Sequence, residues 1–327
     1  MAENAEALSD FDLWSLLDLT GFAIYRLRQV ELAKLGLTIE QSGILDLLKN
    51  RGGSTTAREI EDITLRQHHT ISIMLNRMVR LGLVRREKIG SGKGYKILIA
   101  PDGQTVLEKM PLGSIESAFS ILSPEHKRQL ANCLYSLWQR VRRLLGSPHG
   151  SPFKTQLCGD SALELMELLL DGNKPISDYR LWSLLNRARF AIGRLREMEL
   201  AQFGLTIEQS SILRIVKESG GSATGKALGK ATMRQHHSIS TLVNRMVGIG
   251  FVKKERPDAG RADRIILTQE GEGVLQRLTT TALEMAFSEL TPLEKQKLAA
   301  LLCLLNARAR ELHSASDQAF CATSSVA

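Results

Sequence analysis

Aromatic residues make up only 5% of this 327-residue chain, too few rings for a surface built to stack single-stranded bases. Its four cysteines, Cys133, Cys158, Cys303 and Cys321, lie far apart, so their spacing spells neither a zinc site nor a redox pair. Reduced thiols in a cytoplasmic protein are the expectation. No apolar run approaches the roughly 18 residues of a membrane helix. The acidic stretch 1–10 lacks the basic and apolar regions of a secretory signal. A glycine-rich phosphate loop, a metal-ligand spacing and a nucleophile motif are all missing, which speaks against an enzyme, a bound metal or a cofactor. Positive charge is what the chain has in surplus. Lys and Arg number 43 against 35 Asp and Glu, a formal +8, and such an excess makes polyanions the first partners to consider. Apolar residues at 43% suffice for packed cores, and the length suits two domains.

Those two domains are one unit written twice. Leu37-Thr-Ile-Glu-Gln-Ser42 returns as Leu205-Thr-Ile-Glu-Gln-Ser210, Arg66-Gln-His-His69 as Arg234-Gln-His-His237, and Asn76-Arg-Met-Val79 as Asn244-Arg-Met-Val247. Each pair is offset by 168 positions. Residues 13–142 align with 181–310 without a gap, and roughly 60 of about 130 pairs are identical. The domains are expected at 11–145 and 161–313. A Pro/Gly/Ser-rich linker at 146–160 separates them, and a small, polar, flexible tail at 314–327 follows. A short helix is expected over Ser161–Leu170.

Within a copy the pattern is mostly helical with one strand pair. A helix over 11–34 stops at Gly36. Thr38, with Gln41 three residues on, starts the next, and Gly52-Gly53 ends it. A short helix over Thr56–Ile63 is followed by a longer one, capped by Thr64 and running to Gly82. The period then changes to strands at Leu83–Lys88 and Tyr95–Ala100, joined by a glycine-rich turn. Two helices, about 102–121 and 124–144, close the copy, the second started by Ser123-Pro124.

Short helix, turn, longer helix and basic hairpin form a winged helix-turn-helix, a mainly α fold of the α+β kind. The copy resembles the MarR family of bacterial and archaeal transcription regulators. The likeness rests on Leu37-Thr38-x-x-Gln41, on Asn76-Arg77-Met78 with Leu83-Val84, and on Ile265-Ile-Leu-Thr268 with Gly271. It implies a dimer joined through its first and last helices that presents two recognition helices to DNA. A tandem chain is similar to that dimer fused into one polypeptide, an intramolecular pseudo-dimer that needs no higher oligomer. Where Asn76 and Asn244 stand, the family usually has an aspartate that pairs with a wing-tip arginine. Asn cannot form that ion pair, so a looser or hydrogen-bonded wing is implied.

Setting the core face of the long helix by Ile71, Leu75 and Met78 turns Arg66, His69, Ile73, Asn76 and Arg77 outward, flanked by Thr70 and Ser72. The second copy places Arg234, His237, Thr241, Asn244 and Arg245 there, flanked by Ser238 and Ser240. Arg66 suits guanine, Thr70 and Ser72 suit bases or phosphate, and Ile73 suits a thymine methyl. Gln67, His68, Gln235 and His236 sit in the first turn, within reach of phosphate. The adjacent histidines point about 100° apart on a helix and lack companion ligands, so metal is not expected. The wings offer Arg85, Arg86, Lys88, Lys93 and Lys96, against Lys253, Lys254, Arg256, Arg261 and Arg264, for phosphates or the minor groove.

Function follows as a sequence-specific, double-stranded-DNA-binding transcriptional regulator. The most concrete form is a ligand-responsive repressor of a pseudo-palindromic operator. The alternative is a winged-helix protein-interaction module that has lost sequence-specific DNA binding. Basic residues kept in both wings and both helices weigh against it. The resemblance also implies a small aromatic or anionic effector, with Trp14, Tyr25, Arg26, Trp182 and Arg194 as candidate pocket residues, joined by Phe22, Arg28, Phe190 and Arg196. Redox control through Cys133 or Cys303 is a weaker expectation, because the two are out of register between copies.

Overall fold

The computed structural model describes residues 8–64, 66–89, 94–146, 175–256 and 263–324, the last from residue 316 on as backbone alone. The first copy runs α1 (Asp10–Ala33), α2 (Ile39–Asn50), β1 (Ser54–Thr56), α3 (Ala57–Thr64), α4 (His68–Arg80), β2 (Val84–Lys88), β3 (Tyr95–Ile99), α5 (Pro101–Glu108), α6 (Gly113–Phe119) and α7 (Pro124–Leu145). The second repeats it as α8 (Asp178–Ala201), α9 (Ile207–Glu218), β4 (Ser222–Thr224), α10 (Gly225–Thr232), α11 (His236–Gly248), β5 (Val252–Glu255), β6 (Arg264–Leu267), α12 (Gln269–Arg277), α13 (Thr281–Phe287) and α14 (Pro292–Ser324).

The expected capping box opens α2. The Gln41 amide donates to Thr38 Oγ1 at 3.3 Å, and the Thr38 amide donates to Gln41 Oε1 at 2.9 Å; α9 repeats it with Thr206 and Gln209. Two glycines with positive φ, Gly52 and Gly53, end the helix as expected.

Four details depart from the sequence reading. A third strand joins each hairpin: β1 pairs antiparallel with β3, Thr55 opposite Ile97, giving the order β1-β3-β2, and β4-β6-β5 repeats it. The helix expected over 102–121 is two helices, separated at residues 109–112, and the second copy breaks at the matched place. Thr64 does not cap α4. It closes α3 by donating its hydroxyl back to the Ile60 carbonyl at 2.6 Å, and α4 starts only at His68 behind an extended Gln67. Helix α14 continues past Ser314 to Ser324. The helix expected over Ser161–Leu170 lies outside the described residues.

Each winged motif has its own core. In the first, Ile44, Leu45 and Leu48 of α2, Ile60 of α3, and Ile71, Leu75 and Met78 of α4 pack with Val84 and Ile97 of the wing. In the second, Ile212, Leu213, Leu228, Ile239, Val243, Met246, Val252 and Ile265 do the same. Burying each such side chain stabilises the fold by about 1.5–3 kcal/mol. The join between α5 and β2 is close enough to require glycine: a methyl on Gly103 would lie 2.0 Å from the Leu83 carbonyl oxygen, and one on Gly271 would lie 2.1 Å from that of Phe251.

By its contacts the chain divides into two compact units. One takes the residues up to Ser15 together with Ile192–Ser288, the other Leu16–Ala191 together with the chain from Glu289 on. Each holds one winged motif and a piece of the other sequence copy. In the larger unit α14 packs on α6 and α7, and the Thr20 hydroxyl donates to the Leu302 carbonyl at 3.2 Å. Two buried arginines tie helices to loops in matched fashion. Arg28 pairs with Glu31 at 2.6 Å and donates to the Pro111 carbonyl, while Glu31 also accepts from the Ser114 amide and hydroxyl. Arg196 engages Glu199 and the Thr279 carbonyl, and Glu199 accepts from Thr279 Oγ1 and the Ala282 amide. Arg28 and Arg196 are therefore structural clamps rather than pocket residues.

Candidate nucleic-acid interface

Helices α4 and α11 present the faces that helical spacing assigns them. Ile71, Leu75 and Met78 are buried in one, Ile239, Val243 and Met246 in the other. Gln67, His68, His69, Ile73, Asn76 and Arg77 are exposed, with Thr70 and Ser72 half-buried beside them. Gln235, His236, His237, Thr241, Asn244 and Arg245 are likewise exposed, with Ser238 and Ser240 half-buried. Ile73 is 56% exposed, a large apolar side chain held in water by a helix whose core face is already full.

Arg66 and Arg234 depart from that arrangement. Each precedes its helix instead of riding on it, and each turns toward α2 or its counterpart. Arg66 lies 3.8 Å from Glu40 and stacks over the Phe190 ring at 5.0 Å. Arg234 pairs with Glu208 at 3.2 Å, just after Met233 takes the left-handed conformation at φ 55 that ends α10. The helix starts three residues later than a Thr64 cap would give, so these arginines belong to the turn.

The copies differ at the first turn of the recognition helix. His68 Nδ1 lies 2.6 Å from Oε1 of Glu61, a buried carboxylate on α3. Gly229 stands at the matched position on α10, so His236 has no such carboxylate behind it. A methyl on Gly225 would lie 4.0 Å from His236 Nε2, which places the start of α10 beside the first turn of α11.

The wing bases carry exposed cations at Arg86, Lys88 and Lys96, and at Lys254, Arg256 and Arg264. Lys93 and Arg261, at the wing tips, lie outside the described residues. In the second copy Lys254 Nζ donates to Asn244 Oδ1 at 2.6 Å, so a hydrogen bond ties that wing to its recognition helix. Arg256 faces Asp263 at 3.5 Å, and Arg264 donates to Ser222 Oγ at 2.7 Å. In the first copy Lys88 lies opposite Tyr95 rather than an acid, and neither Arg86 nor Lys88 has an ionic partner among the described residues.

Between α1, α2, α4 and the first half of α8, all within one unit, lies a cavity of about 190 Å³. Tyr25 and Trp182 line it, as do Glu40, Arg66, Tyr179, Arg187, Arg189 and Phe190. Of the sequence candidates, Trp14, Arg26 and Arg194 do not. Trp14 is buried near Gly193 in the other unit, and Arg194 pairs with Glu197. The Tyr25 hydroxyl donates to Glu40 at 3.2 Å. Burial first, and then Glu40, push its pKa up to about 12, so the phenol stays protonated. Arg189 holds Asp18 at 2.7 Å and fills the space left by Gly21, its matched position in the first copy. Tyr179 bonds Asp46, whose carboxyl burial pushes up against the pull of Tyr179 and Arg187. In the other unit the matched positions hold Phe11 and Arg214, with the guanidinium 3.6 Å from the ring centroid. The signal for Tyr179, Arg187 and Arg189 was available as a helical stripe through Trp182; nothing local pairs that stripe with Tyr25.

Burial pushes the Cys133 thiol up to about 11, which keeps it un-ionised and unreactive near neutrality. Among the described residues no group of three or more His, Cys, Asp or Glu is placed to hold a metal ion, and no helix is long and apolar enough to cross a membrane.

The MarR family model matches residues 35–93 and again residues 203–262. Solved chains are also similar. An organohalide-sensing RdhR transcriptional regulator in ligand-free form is 22% identical, with TM-score 0.40, over 43% of this chain and 89% of its own. AbsC, a MarR family transcriptional regulator from Streptomyces coelicolor, is 23% identical, with TM-score 0.35, over 43% and 99%. MarR from E. coli in its apo form is 22% identical, with TM-score 0.33, over 39% and 96%. No curated protein matches the chain.

Proposed function

From a MarR-family chain with the winged helix in both halves, we infer a cytoplasmic repressor that binds a pseudo-palindromic operator as an intramolecular pseudo-dimer. Proteins of this family are DNA-binding transcriptional regulators that answer to ligands, not enzymes. The observation that carries the reading is the outward face of α4 and α11. Folding needs only their apolar stripes, yet Gln67, His68, His69, Ser72, Asn76 and Arg77 recur at Gln235, His236, His237, Ser240, Asn244 and Arg245. A surface repeated in this way suits two half-sites of nearly the same sequence, spaced about one helical turn, roughly 10 bp, apart. Joining the copies keeps both reading heads together at low protein concentration.

The cavity supports control by an aromatic anion. Its rings would take an aromatic body, and a carboxylate would compete with Glu40 for Arg66. Arg66 stands two residues before α4, so drawing it away from Glu40 acts directly on the start of the recognition helix. Ligand and operator are then coupled through one turn, each favouring a different position of it.

The test uses a duplex recovered by the full chain from a random-sequence library. Protection should show inverted symmetry, and affinity should fall about 1,000-fold or more between 50 and 200 mM salt, as for about six or more phosphate contacts. Adding aromatic carboxylates should release the duplex. Affinity indifferent to salt, or protection without inverted symmetry, would sink the reading.

A further inference from the structure

The matched helices α3 and α10 have opposite charge. Helix α3 carries Glu59, Glu61 and Asp62 against a single Arg58, whereas α10 carries Lys226 and Lys230 and no acid at all. The acids of α3 serve the fold: Glu59 accepts from Thr55 and Thr56 at the helix start, and Glu61 is buried against His68. Both lysines of α10 are exposed, have no ionic partner among the described residues, and lie four apart, on one face of the helix. The start of α10 stands beside His236 in the first turn of α11. The wings are biased the other way. Arg256 faces Asp263, but its match Lys88 faces Tyr95.

Resting on the DNA-binding reading above, we propose that the two copies grip the DNA backbone through different elements. The second anchors to phosphates through Lys226 and Lys230 on α10, the first through Arg86 and Lys88 of its wing. In a helix-turn-helix the helix preceding the recognition helix crosses the backbone, so the two cations of α10 are set against phosphates. In α3 the match of Lys226 is the cation Arg58, but the match of Lys230 is Asp62, which would repel them. In the second wing the Asp263 carboxylate brings a negative charge to the place where Arg256 would meet a phosphate. A symmetric operator is therefore held asymmetrically. Base reading is nearly the same in both halves, while backbone contacts fall on different phosphates in each.

Salt dependence of binding to the selected duplex tests this with matched pairs in the full chain. Each phosphate contact contributes about 0.9 to the slope of log affinity against log salt. Lys226→Ala with Lys230→Ala should lower that slope by about 1.8, whereas Arg58→Ala with Asp62→Ala, a pair with a cation at only one of the two positions, should lower it by about half of that or less. Arg86→Ala with Lys88→Ala should also remove about 1.8, and Lys254→Ala with Arg256→Ala about half of that or less. Equal losses at the matched pairs, or an unchanged slope for the lysine pair while the wild type binds, overturn the asymmetry and leave DNA binding standing. A wild-type chain that selects no duplex overturns the DNA-binding reading, and the asymmetry with it.

Discussion

Replacing Arg28 by Ala should destabilise its unit by about 3–5 kcal/mol at neutral pH and lower the melting midpoint by roughly 10 °C. Arg28 is 1% exposed. Its guanidinium meets Glu31 and the Pro111 carbonyl at once, so truncation leaves the carbonyl without its donor and a largely buried carboxylate, still bonded by Ser114, without its counter-charge. Lysine should rescue only in part, because its compact ammonium is more strongly hydrated than a guanidinium and costs more to bury. The pH dependence has a definite sign. Burial alone would raise the Glu31 pKa, but hydrogen bonds from Ser114 and then Arg28 outweigh it and hold the carboxyl below its usual value. A carboxyl depressed on folding contributes stability above its unfolded-state pKa and loses it as pH falls through the folded value. The gap between wild type and Arg28→Ala should therefore be widest at neutral pH and narrow in acid. Denaturant unfolding at several pH values checks this; a gap below 1 kcal/mol at pH 7, or one that grows in acid, would refute the clamp.

Adding one methyl at Gly103 should cost about 3 kcal/mol. The obstacle is backbone. The Leu83 carbonyl oxygen, 2.0 Å from where the methyl would sit, already accepts from the Ala100 amide at 3.1 Å. Helix α5 cannot back away without releasing the strand end that sets the wing, so the wing should lose its order with the stability. Gly271→Ala should repeat the effect in the other unit, while Gly273→Ala, with open space around it, should not. Chemical unfolding of the three variants decides it. A Gly103→Ala protein within about 0.5 kcal/mol of wild type would falsify the close-packing argument.

The duplication, the capping boxes and the core stripe of α4 were legible because each leaves a local signature. Thr38 and Gln41 are three apart, and Ile71, Leu75 and Met78 share one face. Strand β1 was not, since three residues carry no alternation to detect and its pairing with β3 is a tertiary event. The start of α4 was misread because Thr64 has the chemistry of an N-cap but spends its hydroxyl backwards on Ile60. That shift moved Arg66 from the reading face to the cavity. More than a third of the residues lining the cavity come from α8, more than 150 positions from Tyr25 along the chain, a distance no spacing rule bridges. Pro111 was visible, yet the second copy breaks at Thr279 and Thr280 without a proline, so packing rather than that ring governs the break.

Asp46 of the first copy bonds Tyr179 of the second, and Arg214 of the second covers Phe11 of the first. These are the same two positions, filled by chemically different couples. A chain built from two first copies would set Asp46 against Phe11, leaving the half-buried carboxylate with Asn50 but without its phenol donor. One built from two second copies would set Arg214 against Tyr179 and leave the phenol without its acceptor. Neither half can any longer stand in for the other. Drift after the duplication has made partners of what began as twins, and reverting one member of a couple alone now costs more than keeping both.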